Sequence, residues 1–180
     1  MFRYISYDIE TTGLFDGKHP DKRQIIQIAA VVDELSLDKE PTPIDDLPMF
    51  CEFVRNEDLT FHPFAMNMHR KSGLMEAYFE ALTGGNKVGY LGQVMYDFGK
   101  WLHKHAPISI EENEMPPTRK ITGRWNFAGK NLWSLDLPFS RQSKVFDEQI
   151  YRYIRHKLVD PATSFIMRLR KPPPLVGGDE

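Results

Sequence analysis

Phe2-Arg3-Tyr4-Ile5-Ser6-Tyr7-Asp8-Ile9-Glu10-Thr11-Thr12-Gly13-Leu14 is an aromatic and β-branched run ending in a turn signal. Residues 2–10 read as a strand. Successive side chains of a strand alternate faces, so Asp8 and Glu10 project from the same side, roughly 7 Å apart at a rise of ~3.3 Å per residue. Two acids on one side of an apolar strand are costly to bury unless a cation sits between them. A hard divalent ion such as Mg²⁺ or Mn²⁺ answers that need, because it prefers oxygen ligands.

The rest of the chain reads as a layered α/β arrangement. Residues 24–33 are nearly all apolar and form a second, central strand, and residues 48–55 a third. Polar segments at 11–23 and 36–46 connect them, which suggests an antiparallel meander. A helix starts at Pro63. Ser72 is placed to cap a second helix over 73–82, ended by Gly84-Gly85. Leu91, Val94, Met95, Phe98, Trp101 and Leu102 recur at helical spacing and predict an amphipathic helix over 88–105. Residues 107–122 are polar and proline-bearing, hence a long loop. Residues 125–129 form a fourth strand and 132–156 are mainly helical. Residues 157–160 form a fifth strand, and a helix over 162–169 is capped by Asp160 and stopped by the prolines at 172–174. The expected fold is therefore α/β, with a mixed five-stranded sheet (three antiparallel strands, then strand–helix alternation) flanked by helices.

Composition narrows the function classes. The 180 residues suggest one domain with a full core. Cys51 is the only cysteine, so no internal disulfide can form, and its apolar neighbours favour a small core residue. The acids at positions 8 and 10 exclude a signal peptide, and no apolar run reaches the ~20 residues of a membrane span. A cytoplasmic protein with no membrane partner is the expectation. Net charge is −2, which argues against a general nucleic-acid coat. Residues 1–116 carry 11 Lys+Arg against 19 Asp+Glu, a balance of −8, and residues 117–180 carry 12 against 6, a balance of +6. That basic part could follow a phosphate backbone, or its charges could simply solvate surface helices.

The string Tyr7-Asp8-Ile9-Glu10-Thr11-Thr12-Gly13-Leu14 resembles the first motif of the DEDD family of 3'–5' exonucleases, in the ribonuclease H-like superfamily. Gly129-Lys130-Asn131-Leu132-Trp133-Ser134-Leu135-Asp136 resembles the second, in which a Gly-Lys-Asn turn precedes an Asp that joins the metal site. Met68-His69-Arg70-Lys71-Ser72-Gly73-Leu74 is similar to a segment of the oligoribonuclease-like members. The third motif, His-x-x-x-x-Asp on a last helix in the histidine subtype, has no match after position 160; His156 and Asp160 are one residue too close. The resemblance thus implies a single domain over 1–180, truncated at its C-terminal end.

The resemblance also implies a chemistry. Two Mg²⁺ or Mn²⁺ ions about 4 Å apart clamp the attacking and leaving oxygens of a 3'-terminal phosphodiester, releasing nucleoside 5'-monophosphates. Asp8, Glu10 and Asp136 are the implied metal ligands and catalytic residues. Ile9, Thr11, Thr12 and Gly13 seat the terminal nucleotide, Leu14 packs on its base, and His69 and Asn131 contact substrate; His69 could equally be a surface histidine. His62, His103 and His105 read as surface or structural. The implied partner is the 3' end of single-stranded DNA or RNA, with the sugar, the oligomeric state and the organism left open. Two other readings stand beside this one: an inactive nucleic-acid-binding fragment of such an enzyme, and an unrelated α/β interaction module with chance acids.

Overall fold

The computed structural model describes residues 2–14, 23–35, 38, 40–84, 88–113, 118–121 and 123–155, with the backbone alone for 110–113 and 118–121. Strand β1 (Phe2–Thr11) pairs antiparallel with β2 (Ile25–Leu35), placing Asp8 opposite Ala29 and Glu10 opposite Gln27. The register shifts between Glu10 and Thr11, so the strand breaks regularity just past the second acid. Strand β3 (Met49–Arg55) continues the meander antiparallel to β2. Helices α1 (Pro63–Ser72) and α2 (Leu74–Gly84) follow, and then β4 (Val88–Tyr90) adds parallel to β3. Helix α3 (Leu91–His105) leads to a small hairpin of β5 (Ile110–Asn113) and β6 (Thr118–Ile121). Strand β7 (Phe127–Ala128) then returns parallel to β1. The sheet order is β4-β3-β2-β1-β7, mixed and five-stranded. A parallel bridge from Trp125 to Ile154 extends it past β7.

The core sits on one face of this sheet. Ile5, Tyr7 and Ile9 are buried, whereas Ser6 and Asp8 are exposed and Glu10 is half-buried. This is the period-two pattern of a strand with one apolar face. Tyr7 packs its ring 5.4 Å from Phe98 and 5.2 Å from Phe127. Helix α3 lays Val94, Met95, Phe98 and Leu102 on the sheet, all 0% exposed. Fully burying a side chain such as Phe98 contributes roughly 1.5–3 kcal/mol.

Four expectations are corrected. Val88-Gly89-Tyr90 is strand, because helical periodicity begins only at Leu91 and Gly89 is a poor helix former beside the open edge of β3. The polar segment after Pro107 contains β5 and β6, whose register pairs Glu111 with Lys120 and Glu112 with Arg119. Ser72 does not cap α2. Its hydroxyl donates to the His69 carbonyl at 3.1 Å, closing α1, and Gly73 turns the chain with φ +79. Residues 150–155 leave the helical run for a 3₁₀ turn (Tyr151–Tyr153) and the bridge at Ile154. The expected strand over 157–160, the helix after it and the His156–Asp160 pair lie outside the described residues. Cys51 is half-buried and accepts from Gln27 Nε2 at 3.4 Å. Among the described residues no helix is long and apolar enough to cross a membrane.

Candidate active site

Asp136 reaches β1 through a chain of local constraints. After β7, Gly129 passes so close to β1 that a Cβ there would lie 2.5 Å from the Tyr7 carbonyl oxygen. Asn131 is left-handed, with φ 62, a conformation Asn tolerates better than most residues. Its carbonyl accepts from the amides of Ser134 at 3.1 Å and Leu135 at 2.9 Å, opening a π-helical turn over Leu132–Asp136. Helix α4 (Leu137–Ser140) follows directly. Ser140 Oγ donates to the Asp136 carbonyl at 2.6 Å and accepts from the Tyr7 hydroxyl at 2.6 Å. Since Tyr7 is a core residue of β1, this relay ties the Asp136 backbone to the strand that carries Asp8 and Glu10.

The Asp136 side chain is 1% exposed, and neither of its oxygens has a hydrogen-bond partner. Burial pushes its pKa up to about 7, helped by the charges of Asp8 and Glu10; the nearby Ile9 backbone offsets part of this without completing a hydrogen bond. Burial also raises Asp8, whose carboxylate is desolvated although the residue as a whole is exposed. Glu10 is raised by burial and by Asp8, and lowered by His69. The structure thus brings Asp8, Glu10 and Asp136 within electrostatic reach of one another. Among the described residues no three His, Cys, Asp or Glu form a closed metal-binding set as they stand. Carboxylates without a cation repel, which opposes such closure. The donor chemistry, all oxygen with two orphaned buried oxygens, fits a hard divalent cation.

His69 is 2% exposed, which overturns the surface-histidine alternative. Its Nε2 donates to the Thr11 carbonyl at 2.8 Å, and its Nδ1 lies 3.6 Å from Glu10 Oε2. It therefore stands behind Glu10. Thr12 is 0% exposed and spends its backbone on protein: its amide donates to Gln24 O at 2.8 Å and its carbonyl accepts from His62 N at 2.7 Å. Ile9 and Thr11 are buried, and Thr11 Oγ1 donates to the Gly13 carbonyl at 2.8 Å. Leu14 is 69% exposed and Asn131 is exposed, so these two are open to a ligand.

A cleft of about 420 Å³ is lined by Gly13, Leu14, Arg23, His62, Phe64 and Ala65. His62 caps α1 by accepting from Phe64 N at 3.2 Å through Nδ1. His62-Pro63 is a readable helix start, but nothing local in the sequence marks Arg23 or Phe64 as neighbours of Leu14. His103 and His105 sit against Trp125 and Trp101.

No family model matches this chain, and no curated protein matches it. Solved structures do. The exonuclease I of Methylocaldum szegediense is 14% identical with a TM-score of 0.53, covering 94% of this chain and 29% of that one. E. coli exonuclease I in complex with a dT13 oligonucleotide is 15% identical with a TM-score of 0.51, covering 94% and 29%. The zinc-bound form of the E. coli exonuclease I complex with single-stranded DNA is 14% identical with a TM-score of 0.52, covering 93% and 29%. The fold is ribonuclease H-like. This chain spans under a third of the length of those proteins. In its sheet, β1 is flanked by β2 and β7, so Asp8 and Glu10 lie on an interior strand, next to the one that leads to Asp136.

Proposed function

We propose that the chain is a metal-dependent 3'–5' exonuclease that hydrolyses the terminal phosphodiester of single-stranded nucleic acid and releases nucleoside 5'-monophosphates. The observation that carries this reading is the orphaned carboxylate of Asp136, 1% exposed and facing the charges of Asp8 and Glu10. Such a cluster is unfavourable alone and is compensated by a cation. Asp8 and Glu10 would hold one Mg²⁺ or Mn²⁺, and Asp8 with Asp136 a second. When bound, such ions supply an activated water and neutralise the charge that develops on the leaving oxygen. His69 orients Glu10 from behind. Tyr7 and Ser140 keep the Asp136 turn docked on β1. Leu14 and the cleft beside it take the terminal base, and Asn131 reaches the adjoining phosphate. Single-stranded DNA is the favoured substrate, since the similar exonuclease I structures hold single-stranded oligonucleotides.

The test uses a 5'-labelled oligothymidylate with Mg²⁺ or Mn²⁺. A ladder shortened from the 3' end, with dTMP released, is the expected result. Wild-type protein that releases no mononucleotide with either ion would overturn it. The open arrangement of the three acids favours a second reading, a module that binds single strands without cutting them. That reading expects oligonucleotide binding that is indifferent to a chelator and no product at any metal concentration.

A further inference from the structure

The cleft of about 420 Å³ beside Leu14 is walled by the apolar side chains of Leu14, Phe64 and Ala65, yet Arg23 shares its lining. We propose that Arg23 determines the base specificity of this cleft. Its guanidinium donates to a carbonyl of the 3'-terminal base, so that ends in thymine or guanine are favoured over ends in adenine or cytosine. This rests on the nuclease reading above, which seats the terminal base at Leu14, and adds which bases fit there.

Arg23 is seated by its surroundings. The next residue is tied twice to Thr12: the Gln24 amide donates to Thr12 Oγ1 at 3.0 Å, and the Gln24 carbonyl accepts from the Thr12 amide at 2.8 Å. The side chain lies against Gly13, where a Cβ would come 3.0 Å from Arg23 Cδ and Nε and 2.9 Å from His62 Cβ. Glycine thus leaves the space that the arginine stem fills. The Nε held there is buried and has no hydrogen-bond partner. Leaving a buried donor of a charged group unpaired costs free energy. No carboxylate among the described residues lines the cleft to offset it. His62 is engaged as the cap of α1 through Nδ1, so Arg23 supplies the charge of the cleft. The occupant that fits has apolar faces and acceptors at its edge, which describes a nucleobase; the phosphate of the same nucleotide goes to the acids. Arginine carries five donors and no acceptor. It pairs with O6 and N7 of guanine and suits O4 of thymine, whereas N6 of adenine and N4 of cytosine are themselves donors.

The test uses four 5'-labelled octamers, dT8 and its analogues ending in dG, dA or dC at the 3' end, and follows the first cut as kcat/KM with Mg²⁺. The parent should favour the dT and dG ends roughly 5- to 150-fold, the discrimination that one good arginine–base contact provides. Arg23→Met should bring that ratio to about one, chiefly by slowing the dT and dG ends. Arg23→Lys, which keeps the charge and loses the planar fork, should restore part of it. The melting temperature of Arg23→Met should hold or rise, because an unpaired buried donor is removed. Calorimetry with dTMP, dGMP, dAMP and dCMP reads the same preference without cutting. Equal rates at all four ends, or a preference that survives in Arg23→Met, overturns the proposal while the nuclease reading stands. Equal slowing of all four ends by Arg23→Met also overturns it, and marks a contact to the sugar or phosphate instead. An Arg23-dependent preference in calorimetry with no octamer cut overturns the nuclease reading alone. Neither cutting nor nucleotide binding by the parent overturns both.

Discussion

Asp136 is costly to the fold, since a buried carboxylate with no hydrogen bond bears its full desolvation cost. Asp8 adds like charge to that environment. Asp8→Ala should therefore abolish mononucleotide release while leaving the metal-free melting temperature unchanged or slightly higher. A clear drop in melting temperature without metal would show that Asp8 has a structural role instead. His69 provides a second test, because its Nε2 is bonded to the Thr11 carbonyl while its Nδ1 lies 3.6 Å from Glu10 Oε2. His69→Gln retains a donor toward the Thr11 carbonyl and loses the group facing Glu10. Removing such an outer-shell partner typically costs 10–100-fold in metal affinity. The expected result is Mg²⁺ binding weakened by about that factor in calorimetry, with dT8 affinity in chelator unchanged. Unaltered Mg²⁺ affinity would reduce His69 to a plug between α1 and β1.

The junction between β7 and β1 explains how one turn governs the site. Gly129 permits the close approach, and the Tyr7–Ser140 relay locks it. Gly129→Ala forces a Cβ against a backbone oxygen that cannot yield. Overpacking of this kind costs about 1–3 kcal/mol, and relief comes only by moving the turn away from β1. Urea unfolding should show that loss, and mononucleotide release should fall with it, because Asp136 moves with the turn. Ser140→Ala leaves the buried Tyr7 hydroxyl without its partner, a penalty of about 1–3 kcal/mol. A Gly129→Ala protein with parental stability and rate would mean that the turn is slack and that another contact positions Asp136.

Stability as a whole should depend on pH through the three acids. Asp136 titrates near 7 in the folded chain against its ordinary 3.8, and Asp8 and Glu10 shift the same way. Between those values the folded state holds a proton that the unfolded state has released, so unfolding free energy falls as pH rises from about 4 to about 8. For Asp136 the loss is on the order of a few kcal/mol. Chemical denaturation in chelator across that range should show the decline, and Asp136→Asn should flatten it. Saturating Mg²⁺ should restore stability at the alkaline end, because it binds the ionised carboxylates and the unfolded chain lacks the site. Stability that rises over this window would contradict the buried, unpartnered state of Asp136.

Local rules determine everything that is legible in the sequence by itself. Strand periodicity puts Asp8 and Glu10 on one side, the apolar spacing from Leu91 to Leu102 predicts α3, and only the resemblance to the second exonuclease motif singles out Asp136 after its Gly-Lys-Asn turn. These signals depend on residues a few positions apart, where alternation, helical repeat and turn chemistry act. Strand β4 is hidden because its pairing partner, β3, lies more than thirty positions earlier. The β5–β6 hairpin is hidden because its charged, proline-bearing sequence has the composition of a loop. Burial depth is equally illegible: His69 reads equally as a substrate contact and as a surface histidine until α1 docks it between Glu10 and Thr11. Tertiary packing alone decided that Asp136, 126 residues from Glu10, would lose its water while feeling the charges of both earlier acids. It likewise decided that Arg23 and His62 would meet Leu14 and that Trp133 and Tyr151 would face one cleft. Desolvation and charge coupling depend on distance in space, and the chain sets that distance only when the sheet closes around β1.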